Sequence, residues 1–491
     1  MIRVKIFILD MSKILTIDQG TTSSRSIVFD SNANIVEVSQ KEYPLIYPQD
    51  GWVEIDPEIL IKSVTDTISK VSLDDVASAA ITNQRETTIV WDRNTGKPIY
   101  NAIVWQDRRT KDFCSSIEDL KILNEVSKRT GLLLDPYFSA TKIKWILDNI
   151  DGAKKKANEG RLCFGTIDTY LMYVLSNKKI YKTDITNASR TMLFNINTLS
   201  WDNYLLDLFD IPESILPEVS NSDESFGTLS DFNNINVNAV LGDQQAALFG
   251  QGCLNEGTLK STYGTGCFLM ANIGSKPSLS DNGLLTTIGY SLNNKIHYAI
   301  EGSIYSAGTV IQWLRDNLEF FADSAESEKF LSSDANSNGV HFIPAFNGLG
   351  APYWNSDIRA SYHGITRDTT KKDLINAAFN SISFQTKDIV DCLKNINIDI
   401  TSLSVDGGMA ANKTFMSHIA SILNIPIHVA KSTESTAKGV ACLAGISTGL
   451  IDIDLLKNQE KVVLNPDNSL NMSMNENYKE WKSLIKKNIS P

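Results

Sequence analysis

The chain has 491 residues, with 46 lysines and arginines against 57 aspartates and glutamates and a formal net charge of −11. At 42% hydrophobic and 21% charged residues it has an ordinary globular composition, which excludes an intrinsically disordered chain, a collagen-like repeat and a coiled-coil rod. The acidic balance excludes a broad nucleic-acid surface, which needs clustered lysine and arginine, but leaves room for small anions held by local geometry.

In chain order, Met1–Asp10 reads as a start-site extension ahead of Met11, because its longest apolar run, Ile6–Leu9, is shorter than the roughly 7–15 residues of a secretory core. Ile14–Ile17, Ser26–Phe29 and Ile35–Val38 predict three short strands in an antiparallel meander. The first turn, Gly20-Thr-Thr22, offers successive N–H groups and two hydroxyls, a nest suited to an anion, and Asp18 beside it suits Mg2+. Taken alone it reads first as an ordinary hairpin turn. Ser139–Asp148 predicts a helix with Ser139 as its N-cap.

Ala239–Gly242 reads as a strand delivering Asp243 to a helix N-terminus. The macrodipole favours an ionised carboxylate there, as a general base needs and as a plain N-cap also supplies. Gly250–Gly257 punctuates the chain, and the strand–turn–strand grammar then recurs at Thr258–Thr262, Tyr263-Gly-Thr-Gly266 and Cys267–Ile273. Asp373–Leu393 predicts a long helix. Leu403–Asp406 predicts a strand running into Gly407-Gly408, which taken alone reads first as an ordinary β–α turn but also lets a flat ring approach the backbone, and Phe415–Leu423 a further helix. Gly445-Ile-Ser-Thr-Gly449 matches a nucleophile elbow, yet it ends a helical run instead of following a strand, so Gly449 reads as a helix stop.

There is no phosphate-binding G-x-x-x-x-G-K-[ST]. Six scattered cysteines read as reduced thiols of a cytoplasmic protein, and five histidines without a ligand pattern predict no structural zinc. No segment reaches the ~20 apolar residues of a membrane span. Strands alternating with helices predict α/β layers in two related halves with a cleft between them.

Taken together, Asp18-Gln-Gly-Thr-Thr-Ser-Ser-Arg25, Ile81-Thr-Asn-Gln-Arg-Glu-Thr-Thr88, Asn101-Ala-Ile-Val-Trp-Gln106, Asp135-Pro-Tyr-Phe138, Gly242-Asp-Gln-Gln-Ala-Ala-Leu248, Ser261-Thr-Tyr-Gly-Thr-Gly-Cys-Phe268 and Gly348-Leu-Gly-Ala-Pro-Tyr-Trp354 resemble the FGGY carbohydrate kinases, from Ser12 onward. The resemblance implies an α/β fold of two duplicated actin-like, ribonuclease-H-like ATPase domains with an interdomain cleft. Residues 1–251 would carry glycerol and phosphate binding, and 252–491 nucleotide binding.

It further implies ATP- and Mg2+-dependent phosphorylation of glycerol to sn-glycerol 3-phosphate, the first step of glycerol catabolism, with Asp243 as general base. Arg85, Glu86, Tyr137, Asp243 and Gln244 would bind the glycerol hydroxyls, and Trp105 and Phe268 would pack against its carbons. Thr21, Thr22, Ser23, Arg25, Thr265, Gly308, Gln312, Gly408 and Asn412 would surround ATP or ADP, with Asp18 near the metal. Neither nucleic acid nor membrane insertion is expected, and assembly as a homodimer or homotetramer is. Gly227–Asn238 has one glycine and no basic residue, so the inhibition by sugar bisphosphates known in some members of that family is not expected.

Overall fold

The computed structural model describes residues 12–280, 283–431 and 434–489; the expected extension at Met1–Asp10 lies outside them. The predicted meander forms as β1 (Lys13–Gln19), β2 (Ser23–Phe29) and β3 (Ile35–Glu42), paired antiparallel. α1 (Pro57–Ile68) begins at Asp56, whose carboxylate caps Glu58 N at 2.8 Å, and it rests on β2 through the hydroxyl pairs Ser24–Ser63 and Ser26–Thr67. β4 (Val76–Asn83) then runs parallel to β1. The helix Ser139–Asn149 differs from expectation at its start: Phe138 holds the cap position, and Ser139 is the first helical residue, its hydroxyl donating to the Glu86 carbonyl at 3.0 Å.

After β5 (Gly227–Leu229), β6 (Ile235–Gly242) joins parallel to β4 and closes a sheet of order β5-β6-β4-β1-β2-β3. α2 (Asp243–Gly250) leads out of this lobe. The second lobe repeats the plan. β7 (Thr258–Tyr263) and β8 (Cys267–Asn272) form the second hairpin, extended by β9 (Leu285–Leu292) and β10 (Lys295–Ile304). α3 (Gly308–Asp316) and the long α4 (Lys371–Asn395), the latter opened by a Thr370–Asp373 capping box, precede β11 (Ser402–Asp406), which is parallel to β7. α5 (Lys413–Leu423), β12 (Ile427–Ala430), α6 (Ser435–Thr448), β13 (Lys461–Leu464) and α7 (Asn468–Ile489) complete it, in the order β9-β10-β8-β7-β11-β12-β13. Within the two sheets, β3-β2-β1-β4-β6 and β10-β8-β7-β11-β12 have the same succession of antiparallel and parallel pairings.

The lobes share one apolar seam. Ile14, Ile27, Ala80 and Leu241 from the first sheet, Leu248 and Phe249 from α2, Met270 and Tyr290 from the second sheet, and Val440 and Ala441 from α6 form a continuous buried cluster. α2 and α6 cross at glycines: a Cβ on Gly439 would lie 1.9 Å from the Ala246 carbonyl oxygen, and one on Gly250 2.0 Å from that of Ser435. Gly449 ends α6 in the left-handed conformation, as expected. Among the described residues no helix is long and apolar enough to cross a membrane.

Candidate functional site

Strand register brings three segments to one edge. Gln19 of β1 and Gly242 of β6 both lie opposite Asn83 of β4, so Asp18–Gly20, Arg85–Glu86 and Asp243 leave the first sheet together at the carboxyl ends of parallel strands, where open α/β sheets place ligands. In the second sheet Thr262 lies opposite Asp406, which sets the Gly264–Gly266 turn beside Gly407-Gly408.

Between these edges lies a cavity of about 350 Å3, walled by Trp105, Tyr137 and Phe268 and floored by Gln244, Thr262 and the Gly264–Gly266 turn. Trp105 and Tyr137 meet edge-on with ring centroids 5.6 Å apart. Two aromatic rings and Phe268 supply an apolar wall, as the carbon side of a small polyol needs.

Arg85 and Glu86 are buried against this wall, and Glu86 holds a left-handed φ of +60°, a strain typical of functional loops. Arg85 donates to both oxygens of Glu301 (2.6 and 3.1 Å) and to Gln245 Oε1 (3.2 Å), and its Nε lies 3.3 Å from Asp243 Oδ1. Arg190 donates to Glu86 Oε1 (2.6 Å) and Glu301 Oε1 (3.3 Å). Burial raises the Glu86 carboxyl above its ordinary range, against the pull of Arg85 and Arg190. At Glu301 burial also pushes upward, but Arg190 and Arg85 overcome it and bring the group down to about 2. Asp243 is the open member, its side chain 33% exposed. Its Oδ1 accepts from Gln244 N at 2.7 Å, and Oδ2 has no partner among the described residues.

Beneath the floor, the fully buried Lys260 donates to Gln244 Oε1 and to Thr262 Oγ1. Burial lowers its affinity for a proton, with Asp406 and Asp243 opposing. By occupying the Gln244 carbonyl oxygen, it turns that side chain's amide donors the other way.

On the first hairpin the Gly20 carbonyl is tied back by Tyr43 and Gln84, the Thr22 carbonyl accepts from Tyr43 N at 3.0 Å, and Trp105 Nε1 donates to Thr21 Oγ1 at 3.0 Å. Ser23 opens β2. Arg25 bridges Asp18 and Glu434, the latter at 2.7 Å, so both terminal nitrogens of its guanidinium engage carboxylates while the side chain stays partly exposed. Burial raises the Asp18 carboxyl, helped by Glu434 and Asp243 and opposed by Arg25.

A second cavity of about 390 Å3 gathers Thr265, Gly308, Gln312, Gly408 and Asn412, with Ile311, Phe379 and Met409 as apolar lining, and it shares Gly264 and Thr265 with the first. The two adjacent glycines divide their work. Gly407 has φ +92° and its Cβ would sit 2.4 Å from the Tyr263 carbonyl oxygen, whereas a Cβ on Gly408 would meet nothing within 4 Å.

The structure thus brings Trp105, Tyr137, Gln244 and Phe268 around one cavity and Thr265, Gly308, Gln312, Gly408 and Asn412 around the next, with Arg85, Glu86 and Asp243 adjoining the first. Glu301, Arg190 and Lys260 were absent from the sequence-derived set. Glu301 and Arg190 carry no local signature, while Lys260 has one faint cue, its place two residues before Thr262 on the same face of β7.

Two duplicated sheets, paired hairpin turns at a common cleft and adjoining cavities define a two-lobed ATPase-type phosphotransferase of the actin-like fold. The chain belongs to the FGGY family of carbohydrate kinases: the family's N-terminal domain matches residues 13–250 and its C-terminal domain 259–448. It is 50% identical over 446 residues to glycerol kinase of Marinomonas sp. (strain MWYL1), covering 89% of this chain and 90% of that one. Against glycerol kinase of Bacillus subtilis (strain 168) it is 46% identical over 486 residues, or 96% and 98% of the two chains. The crystal structure of Plasmodium falciparum glycerol kinase with ADP superposes with a TM-score of 0.92 at 37% identity, over 98% of this chain and 99% of that one.

Proposed function

We propose that this chain transfers the γ-phosphoryl group of ATP to a terminal hydroxyl of glycerol, giving sn-glycerol 3-phosphate, with Asp243 as general base. One observation carries the reading: an aromatic-walled cavity and a second, glycine-lined cavity share the Gly264–Thr265 turn, so an acceptor in one and a nucleotide in the other would meet at a phosphate-sized nest. Glycerol would lie against Trp105 and Phe268, with its hydroxyls toward Arg85, Glu86, Tyr137 and Gln244. Residues 1–251 would supply this half of the site apart from Phe268, and 252–491 the nucleotide half, with Thr265, Gly308, Gln312, Gly408 and Asn412 holding ATP and Thr21, Thr22, Ser23 and Arg25 approaching its phosphates.

Arg85 orients Asp243 through Oδ1, and the free Oδ2 would accept the hydroxyl proton as the oxygen attacks phosphorus in line. Phosphoryl transfer is largely positioning and charge stabilisation, so the amides of the two turns carry much of the catalytic load. The donor set fits Mg2+. Among the described residues no group of three or more histidines, cysteines or carboxylates gathers as a metal cage, but Mg2+ takes one or two carboxylates plus water and phosphate, and Asp18 is a hard oxygen donor of this kind. Held there, the ion would neutralise charge on the triphosphate.

The test is glycerol-dependent ADP formation with Mg·ATP, against a panel of longer polyols and ketopentoses. Asp243→Asn should lower kcat at least about a hundredfold, the scale of a lost general base, while the circular dichroism spectrum stays parental. An Asp243→Asn enzyme working at near-parental speed would refute the role of Asp243, and a preference for a five-carbon acceptor would refute the substrate.

A further inference from the structure

Arg85 and Glu86 come from the first lobe, as does Arg190, which follows the short helix Ile185–Ala188. Glu301 comes from the second lobe, midway along β10, in register with Met270 of β8 and Leu285 of β9. It is the one carboxylate to which both arginines donate, and all four side chains are buried.

A guanidinium has five N–H donors in a fixed plane. For Arg85, Glu301 takes one from each terminal nitrogen, Gln245 takes the second on Nη1, and Nε faces Asp243. One N–H remains, on Nη2, and its direction is set by the two-pronged grip of Glu301. Arg190 transmits the same constraint to Glu86: its Nε holds Glu86 Oε1 while its Nη2 holds Glu301 Oε1. The Arg190 carbon centre lies 5.3 Å from the Phe138 ring centroid and 5.8 Å from that of Tyr137, so its plane also backs the aromatic wall.

The geometry points to Glu301 as a positioning residue for the polyol clamp: a carboxylate lent by the second lobe that aims Arg85 and, through Arg190, Glu86. This rests on the reading of Arg85 and Glu86 as glycerol ligands. It follows that the clamp is complete only when the lobes are apposed: the first-lobe carboxylate Glu86 accepts from Arg190 but stands 3.8 Å from Arg85 Nε, whereas Glu301 accepts hydrogen bonds from both arginines. A glycerol site formed this way depends on a lobe that otherwise serves the nucleotide.

Steady-state kinetics with glycerol and ATP varied separately test this, on the full chain and on Glu301→Gln, which keeps the shape and removes the charge. The expected result is a glycerol KM raised about tenfold or more, the scale of a lost charged hydrogen bond, with the KM for ATP unchanged within about twofold. A merely structural ion pair would lower the urea midpoint and leave both KM values alone, and that result overturns the inference. Arg190→Lys carries the same test from the other lobe, and should raise the glycerol KM selectively even if Glu301→Gln fails to fold. A parental enzyme that turns over no glycerol overturns the glycerol reading and this inference together, whereas an active parent whose variants keep the parental glycerol KM overturns this inference alone.

Discussion

Lys142 has no exposed surface, and its ammonium donates to the carbonyl oxygens of Tyr137 (2.5 Å) and Phe138 (3.2 Å), the turn that delivers Tyr137 to the cavity. Burial pulls its pKa down to about 7, against Glu86, Asp107 and Asp135, which favour the charged form, and with Arg108 adding to the fall. In the unfolded chain a lysine keeps its proton to about pH 10.4. Between roughly pH 7 and 10 the unfolded state therefore binds one more proton, so stability rises with pH at up to about 1.4 kcal/mol per unit, and the penalty is complete below pH 7. Lys142→Met removes this slope. Urea midpoints at pH 7 and 9 should show the parental chain gaining on the variant, and parallel midpoints would refute it. The burial of Lys142 was legible in part: Ser139, Lys142, Ile143 and Ile146 follow the i, i+3, i+4, i+7 rhythm of a buried face, while Lys144 pairs with Asp148 away from it. Glu301 and Arg190 had no such rhythm, because each is a lone charge whose partners lie more than a hundred residues away.

At the scale of elements, the parts legible in the sequence are those closed by short-range rules. Both hairpins, the long helix α4 and the helix stop at Gly449 came from local alternation, periodicity and turn chemistry. The docking of β9 against the first lobe did not, because the bonds Ser189–Thr287 and Ser222–Ser291 that fix it join residues 98 and 69 apart. The α2–α6 crossing is another long-range device, and Gly439 makes it testable. A mid-helix glycine costs about 1 kcal/mol relative to alanine, so in isolation Gly439→Ala should stabilise α6. Its Cβ would instead meet the Ala246 carbonyl oxygen at 1.9 Å, a backbone atom that moves only if the helices part. Overpacking of this kind costs about 1–3 kcal/mol and outweighs the propensity gain. Gly439→Ala should therefore lower the urea midpoint and also kcat, since α2 carries Asp243 at its first position. A midpoint shifted upward would show that the crossing is looser than its geometry.

For the whole molecule, the two cavities keep the proposed substrates apart, the first lined by both lobes and the second by the second lobe, while sharing only the Gly264–Thr265 turn. That division predicts which perturbations spread. A change at the shared turn should reach both substrates, whereas one deep in the second cavity should stay with the nucleotide. Gly408 is the position to use: a Cβ there meets nothing within 4 Å, so a side chain would project into free space without displacing protein atoms. Gly408→Val should leave the unfolding free energy from urea titration within about 0.5 kcal/mol of the parent, as for a surface substitution, because no core contact changes. An isopropyl group intruding on the nucleotide's place should raise the KM for ATP about tenfold, the cost of roughly 1.4 kcal/mol of lost binding. Arg85, Glu86, Arg190 and Glu301 lie outside the lining of this cavity, so glycerol affinity measured calorimetrically without nucleotide should not move. If Gly408→Val weakened glycerol binding as much as ATP binding, the cavities would not be separate compartments and the assignment of nucleotide to the second lobe would fail.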